Sequence, residues 1–478
     1  MSEASPGAES DRPAQDLSLA LAPTRRLGLI ALVALIYLVV SGGAYGLEDA
    51  VQIAGARLTL LLCLVVPITL SLPTALMAAE LTALMPVEGG FYYWVKTALG
   101  PFPGFVEAYL TMLYTATDMA IYPVLIASYL AFVLPLGTVA QIAVGIALIW
   151  LSGALNIFGA RPVGNTSIVL MAAIIAPFAA MVIAGFPRLV HWRMPLPTPH
   201  HGDLLGAIGG GLTIVIWNFS GWENLSMIAG EISNPRRNYV RAIAITLPLV
   251  TIGYLLPLAV ALSRADSTAA WRLGYFVDVG RQLGGPMLGF ALAAGGAISA
   301  FSIFDASMLW VSRMPYVLAR EGYLPPRLTR IWADHATPAT SIIACCVVFS
   351  LLVPLGFVAL VVFDVFFYMG ALVLEMWALA RLRRSHPDRA GLFIIGGGRP
   401  ALVAIVAAPI VTWLATFGLA VSHHSGMSEL IVSIVLAIGA WPAYSFLRRR
   451  YGGPESDHGS SDITGLPISM SPSSDDEG

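Results

Sequence analysis

The chain has 478 residues, 57% of them hydrophobic and only 11% charged, with a formal net charge of −2. That balance excludes a soluble globular protein and describes a polytopic membrane protein. A lipid bilayer and a small molecule are the expected partners, and a nucleic acid is not. The three cysteines, Cys63, Cys345 and Cys346, lie in or beside apolar runs and do not suggest a disulfide framework.

Residues 1–22 are rich in Ser, Pro, Asp and Glu and read as a disordered tail. Apolar stretches of about 20 residues then mark twelve spans, near 27–55, 59–85, 101–133, 138–157, 163–185, 204–231, 239–262, 286–318, 338–356, 359–381, 400–421 and 428–447. A second disordered tail covers 451–478. The first run is longer than a signal-peptide core and is expected to be retained as a span. With the N-terminus inside, one flank of the bundle gathers most of the basic residues, among them Arg25, Arg26, Lys96, Arg236, Arg237, Arg320, Arg383, Arg384 and Arg448–Arg450. The other flank receives only Arg57, Arg188, Arg193, Arg264, Arg272 and Arg281. The positive-inside rule therefore puts both termini in the cytoplasm, with a cell membrane as the expected location.

Spans one and six are interrupted in corresponding places, by Ser41-Gly42-Gly43-Ala44-Tyr45-Gly46 and by Trp217-Asn218-Phe219-Ser220-Gly221-Trp222. Glycine clusters free backbone N–H and C=O groups that lipid cannot satisfy, so such breaks predict a protein-enclosed site at mid-membrane. Their placement suits two inverted five-helix units, about 27–185 and 204–381, followed by accessory helices over 400–447. The long third and eighth spans carry Asp118 and Asp305 near their middles, at equivalent positions in the two units.

The acids Glu48, Asp49, Glu80, Asp118, Glu223, Asp305 and Asp364 fall within spans, against Arg313 as the one basic residue well inside. An ionised group at mid-membrane costs roughly 2.5–3.5 kcal/mol, so a cationic substrate, a coupling ion or protons must supply the missing positive charge. Glu48, Asp49 and Glu223 follow the breaks, where a carboxylate caps free N–H groups and meets the positive dipole end. In that place they repel a substrate carboxylate and attract an ammonium. Arg313 follows Asp305 by eight residues and is placed to pair with it or with Glu80. Asp364 lies nearer the outer end of span ten, within reach of water. Tyr37, Tyr45, Tyr122, Trp217, Phe219, Trp222, Phe301 and Phe304 share this depth and suit alkylammonium groups through cation–π attraction and methylene contact.

No P-loop, nucleophile–base pairing or metal-ligand spacing points to an enzyme, a cofactor or a metal site. The histidines of loop 191–201 sit in a proline-stiffened segment that needs no metal. No arginine-rich voltage sensor or pore filter supports a channel.

Several motifs resemble the amino acid–polyamine–organocation superfamily. They are Glu80-Leu81-Thr82-Ala83-Leu84-Met85-Pro86-Val87-Glu88-Gly89-Gly90-Phe91-Tyr92, Arg313 followed by Ala319-Arg320-Glu321-Gly322-Tyr323-Leu324-Pro325, and Thr337-Pro338. Its polyamine uptake branch is resembled by Gly43 to Val51, by Asp118 through Tyr122-Pro123-Val124, and by Gly221-Trp222-Glu223 through Glu231 to Pro235. The resemblance implies an all-α membrane protein of twelve transmembrane helices with a LeuT-like five-plus-five inverted repeat, helices 1 and 6 broken, carrying polyamines, often coupled to protons. One departure is Glu223, followed by Asn224, where the branch commonly has an aspartate.

Together these readings predict a secondary carrier of organic cations, polyamines first. Gly42, Gly43, Tyr45, Glu48, Asp118, Tyr122, Trp222, Glu223 and Asp305 are expected at the substrate. Glu80, Glu231 and Arg313 are expected in coupling or gating, with Glu48 or Glu231 exchanging a proton. Two alternatives stay open. One is an amino acid permease whose backbone at 41–43 binds a carboxylate; the other is a non-transporting nutrient receptor that signals through its C-terminal tail.

Overall fold

The computed structural model describes residues 27–85, 89–131, 134, 136–158, 165–190, 204–226, 232–264, 271–332, 337–385, 393–422 and 427–452. Both expected tails, Glu231 and the histidine loop lie outside the described residues, apart from the first two residues of the C-terminal tail.

The helices in chain order are α1 Leu29–Val40, α2 Leu47–Ala54, α3 Ala56–Leu84, α4 Gly90–Leu99, α5 Pro101–Ala131, α6 Thr138–Ile157, α7 Asn165–Val190 and α8 Leu204–Asn218. They continue as α9 Pro235–Leu262, α10 Tyr275–Val311, α11 Arg313–Arg320, α12 Ala339–Leu352, α13 Phe357–Ser385, α14 Gly398–Ser422, α15 Met427–Ile438 and α16 Ala440–Tyr451. Among the described residues nine helical segments are long and apolar enough to cross a membrane. Three shorter apolar ones lie at Leu29–Val40, Leu204–Asn218 and Ala339–Leu355. The chain is an all-helical, multi-pass membrane protein.

Two of those three are short because the backbone leaves the helix where the glycines stand. At the first break Gly42 has φ 58°, and a Cβ there would overlap Ile303 Cδ1. Only glycine combines that left-handed geometry with that contact. The second break has Gly221 at φ 89°. Small residues also set the packing of the half-helices: Gly211 of α8 lies against Ala54 of α2, where an added Cβ would come within 2.6 Å of Ala54 Cβ.

Long helices surround the breaks. α1 packs against α7 and α9, while α5 packs against α10 and α13. The eighth span, expected to start at 286, does so through a kink inside α10, where Gly284 and Gly285 leave helical geometry just before Pro286. The preceding stretch from Tyr275 is helical but carries Asp278, Arg281 and Gln282, which is why hydropathy alone did not include it. α4 was also absent from the sequence reading, because ten residues are too few to span a bilayer.

Candidate functional site

Freed backbone groups at the breaks are taken up by side chains from neighbouring helices, as burial without water requires. The Tyr254 hydroxyl of α9 lies 3.2 Å from Ser41 O and 2.9 Å from Asn218 O, so one donor serves both breaks. Ser299 donates to Gly42 O, Ser71 to Phe219 O at 2.9 Å, and Tyr239 to Trp222 O at 3.0 Å. Gly42 N–H remains bonded to Tyr37 O at 3.2 Å, and Gly43 N–H donates to Ser41 Oγ at 3.1 Å. These N–H groups are therefore already engaged.

Between the breaks lies a cavity of about 450 Å³. Val39, Val40 and Ser41 form one wall, and Trp217, Asn218, Ser220, Gly221 and Asn224 another. Tyr114, Asp118 and Tyr122 enter from α5, Ile303 from α10, and Asp364 and Tyr368 from α13. Two carboxylates thus share one cavity with four large aromatic rings, and none of these lining residues is basic.

Asp118 is held rigidly. Tyr122, one turn further along α5, donates between its two oxygens at 3.0 Å each, and Trp217 Nε1 donates to Oδ1 at 3.0 Å. Asp364 is buried and lies within electrostatic reach of Asp118 and Glu223, so the expectation that it reaches water at the span's outer end is corrected. The rings of Tyr122 and Trp217 lie 6.3 Å apart, and Tyr114 meets Tyr368 edge-on at 5.4 Å.

Of the residues expected at the substrate, Asp118 and Tyr122 line this cavity. Glu223 stands one layer behind it, accepting from the Tyr368 hydroxyl at 3.2 Å. Trp222 turns away, its Nε1 donating to Phe219 O at 2.9 Å, and Trp217 supplies the indole in the cavity. Gly42 packs on Ile303 and Ser299, and a Cβ on Gly43 would meet Phe178 of α7. Tyr45 donates to Leu292 O at 2.8 Å and packs between Tyr129 and Phe178. Glu48 accepts from Gly46 N–H at 2.8 Å and Gly274 N–H at 3.2 Å, a cap that ties α2 to the start of α10. Asp305 is held by Ser152 at 2.6 Å and Asn156 at 2.9 Å, both of α6. Gly42, Gly43, Tyr45, Glu48, Trp222 and Asp305 are not among the cavity's lining residues.

The gating candidates lie elsewhere. Glu80 is gripped by both arms of Arg383, at 2.6 Å each, and by Ile395 N–H at 2.9 Å. Arg313 lines a separate cavity of about 670 Å³ that also holds Arg320 and Tyr316. Its two guanidinium groups make that space unsuited to an organic cation.

Glu107 and Glu375, both fully buried and close enough to Glu223 for mutual repulsion, were missed by the sequence reading. Their signal was available. Glu107 precedes Asp118 by eleven residues and Glu375 follows Asp364 by eleven, a spacing that keeps each pair on one helix face.

A family model described as amino acid permease matches residues 27–440. The chain is 31% identical over 419 residues to a probable polyamine transporter of Arabidopsis thaliana, covering 87% of this chain and 82% of that protein. It is likewise 31% identical over 433 residues to the polyamine transporter PUT1 of Oryza sativa subsp. japonica, covering 89% and 80%. Among solved structures, that of MhsT in complex with L-phenylalanine matches with a TM-score of 0.60 at 12% identity, over 82% of this chain and 100% of that one. That likeness gives the fold, which is LeuT-like.

Proposed function

We propose, from the premise that the chain belongs to the amino acid permease family of the amino acid–polyamine–organocation superfamily, that it is a secondary carrier of organic cations, polyamines above all. The observation that carries this reading is the central cavity, where Asp118 and Asp364 face one space walled by Tyr114, Tyr122, Trp217 and Tyr368 without a basic residue. Two carboxylates so placed need positive charge, and a diamine brings it on an apolar stem that suits the aromatic walls. Asp118 and Asp364 bind the ammonium groups, and the rings enclose the methylenes. Relatives named as polyamine transporters support the choice of substrate.

Alternating access about the two breaks is the transport mode. It fits twelve spans arranged as inverted units over 27–185 and 204–381, with 400–447 accessory. Glu80 with Arg383 and Arg313 act at the gates, and the termini are cytoplasmic. An amino acid carboxylate is disfavoured because the N–H groups of Gly42 and Gly43 are engaged within the protein.

Competition decides the substrate. With labelled putrescine entering proteoliposomes, unlabelled spermidine is expected to compete and neutral amino acids are not. Competition by amino acids alone would replace this reading with an ordinary permease, and binding without flux would replace it with a receptor.

A further inference from the structure

Behind the cavity stands a second group of acids that substrate binding does not use. α5 and α13 pack against each other, and each carries two acids eleven residues apart, about 16 Å along the helix. Asp118 and Asp364 form the rung that faces the cavity. Glu107 and Glu375 form the other, and Glu223 lies within electrostatic reach of both.

This inner group is sealed. Glu107, Glu223 and Glu375 are 0%, 1% and 3% exposed. Thr111 donates to one oxygen of Glu107 at 2.7 Å, and Tyr368 to one of Glu223. Glu107 Oε2, Glu223 Oε1 and Glu375 Oε2 are buried with no hydrogen-bond partner. Among the described residues no lysine or arginine pairs with any of the three. On neighbouring elements Lys96 is paired with Glu321 and Arg383 with Glu80. The other groups facing the cluster are Asp118, Asp364 and the hydroxyls of Tyr114, Tyr239 and Tyr368.

Ionised carboxylates only accept hydrogen bonds, whereas a protonated one also donates. Three orphaned, buried acceptors without a cation therefore call for protons carried by the carboxyls themselves. The three do not converge as a metal site. Tyr114 and Tyr368 line the cavity and also feel the charge of Glu223 and Glu375, so they divide it from the cluster. A proton can be relayed through the Tyr368 hydroxyl, which donates to Glu223.

From this geometry we infer that Glu107, Glu223 and Glu375 form an occluded proton-holding site that couples the carrier to protons. The inference rests on the cation-carrier reading above. When the cavity is empty the cluster retains a proton. A cation at Asp118 and Asp364 repels it, and the proton leaves to water as the carrier changes face, so substrate and proton are exchanged. By reciprocity, protons weaken substrate binding as much as substrate weakens proton binding.

Calorimetric titration of the full-length protein with putrescine, in buffers of different ionisation enthalpy, counts the protons released. The wild type is expected to release about one proton per bound putrescine and to lose affinity about tenfold per unit of acidification. Glu375→Gln and Glu107→Gln are each expected to flatten that slope while leaving affinity at alkaline pH within about threefold. An unchanged slope in both variants, or binding by the wild type without proton release, would overturn the coupling site alone. No putrescine binding by the wild type would remove the carrier reading with it, and is seen before any variant is made. If the Gln variants fail to fold, Glu375→Asp keeps a titratable group and is expected to keep the proton release. Its loss there counts against the site.

Discussion

The Tyr368 hydroxyl donates to Glu223 Oε2 at 3.2 Å while accepting from Gly221 N–H at 3.3 Å. One phenol thus fixes the second break to α13 and stands between the cavity and the buried acids. Removing it leaves a carboxylate oxygen and an N–H unsatisfied, each costing about 1–3 kcal/mol when buried. Tyr368→Phe is expected to lower the unfolding temperature and reduce putrescine uptake together. Thermal unfolding of the purified variant checks the first effect and proteoliposome uptake the second.

Asp118→Asn keeps the shape of the side chain and can keep a bond to Tyr122, but removes the charge. Putrescine affinity is expected to fall roughly 10- to 100-fold, the loss of one charge-assisted contact. Equilibrium binding of labelled putrescine measures it, and an affinity equal to wild type would place the ammonium elsewhere.

Tyr254 joins the two breaks through Ser41 O and Asn218 O. Tyr254→Phe frees two buried carbonyls at once and is expected to destabilise the protein by about 1–3 kcal/mol. Amide exchange should then quicken at both breaks together. Exchange that quickens at only one break would show that they are not tied through this hydroxyl.

Glu80 and Arg383 are both largely buried, and each is the other's charge partner. Arg383→Met alone strands a carboxylate, at a cost of about 3–5 kcal/mol. The double variant Glu80→Gln with Arg383→Met is expected to recover most of that loss. Additive losses in thermal unfolding would contradict the pairing.

The breaks were legible because glycine clusters in an apolar run have a single physical consequence in lipid. Asp118 was legible because it sits mid-span with Tyr122 one turn away. Asp364 was misplaced because distance along a span does not reveal which face meets another helix. Glu48 and Trp222 were expected at the substrate for their position beside the breaks. Beyond Asn218 no periodicity predicts direction, and the irregular backbone there turns Trp222 away and leaves Trp217 in the cavity. The partner of Glu80 lies 303 residues away, a pairing that no local pattern carries.

The central claim is that two carboxylates in one aromatic cavity carry an organic cation. Uptake of labelled putrescine, spermidine and a panel of amino acids into proteoliposomes, comparing wild type with Asp118→Asn and Asp364→Asn, tests it most directly. The account predicts saturable polyamine uptake by the wild type, reduced at least tenfold in each variant. Uptake of neutral amino acids, undiminished by either substitution, would contradict it.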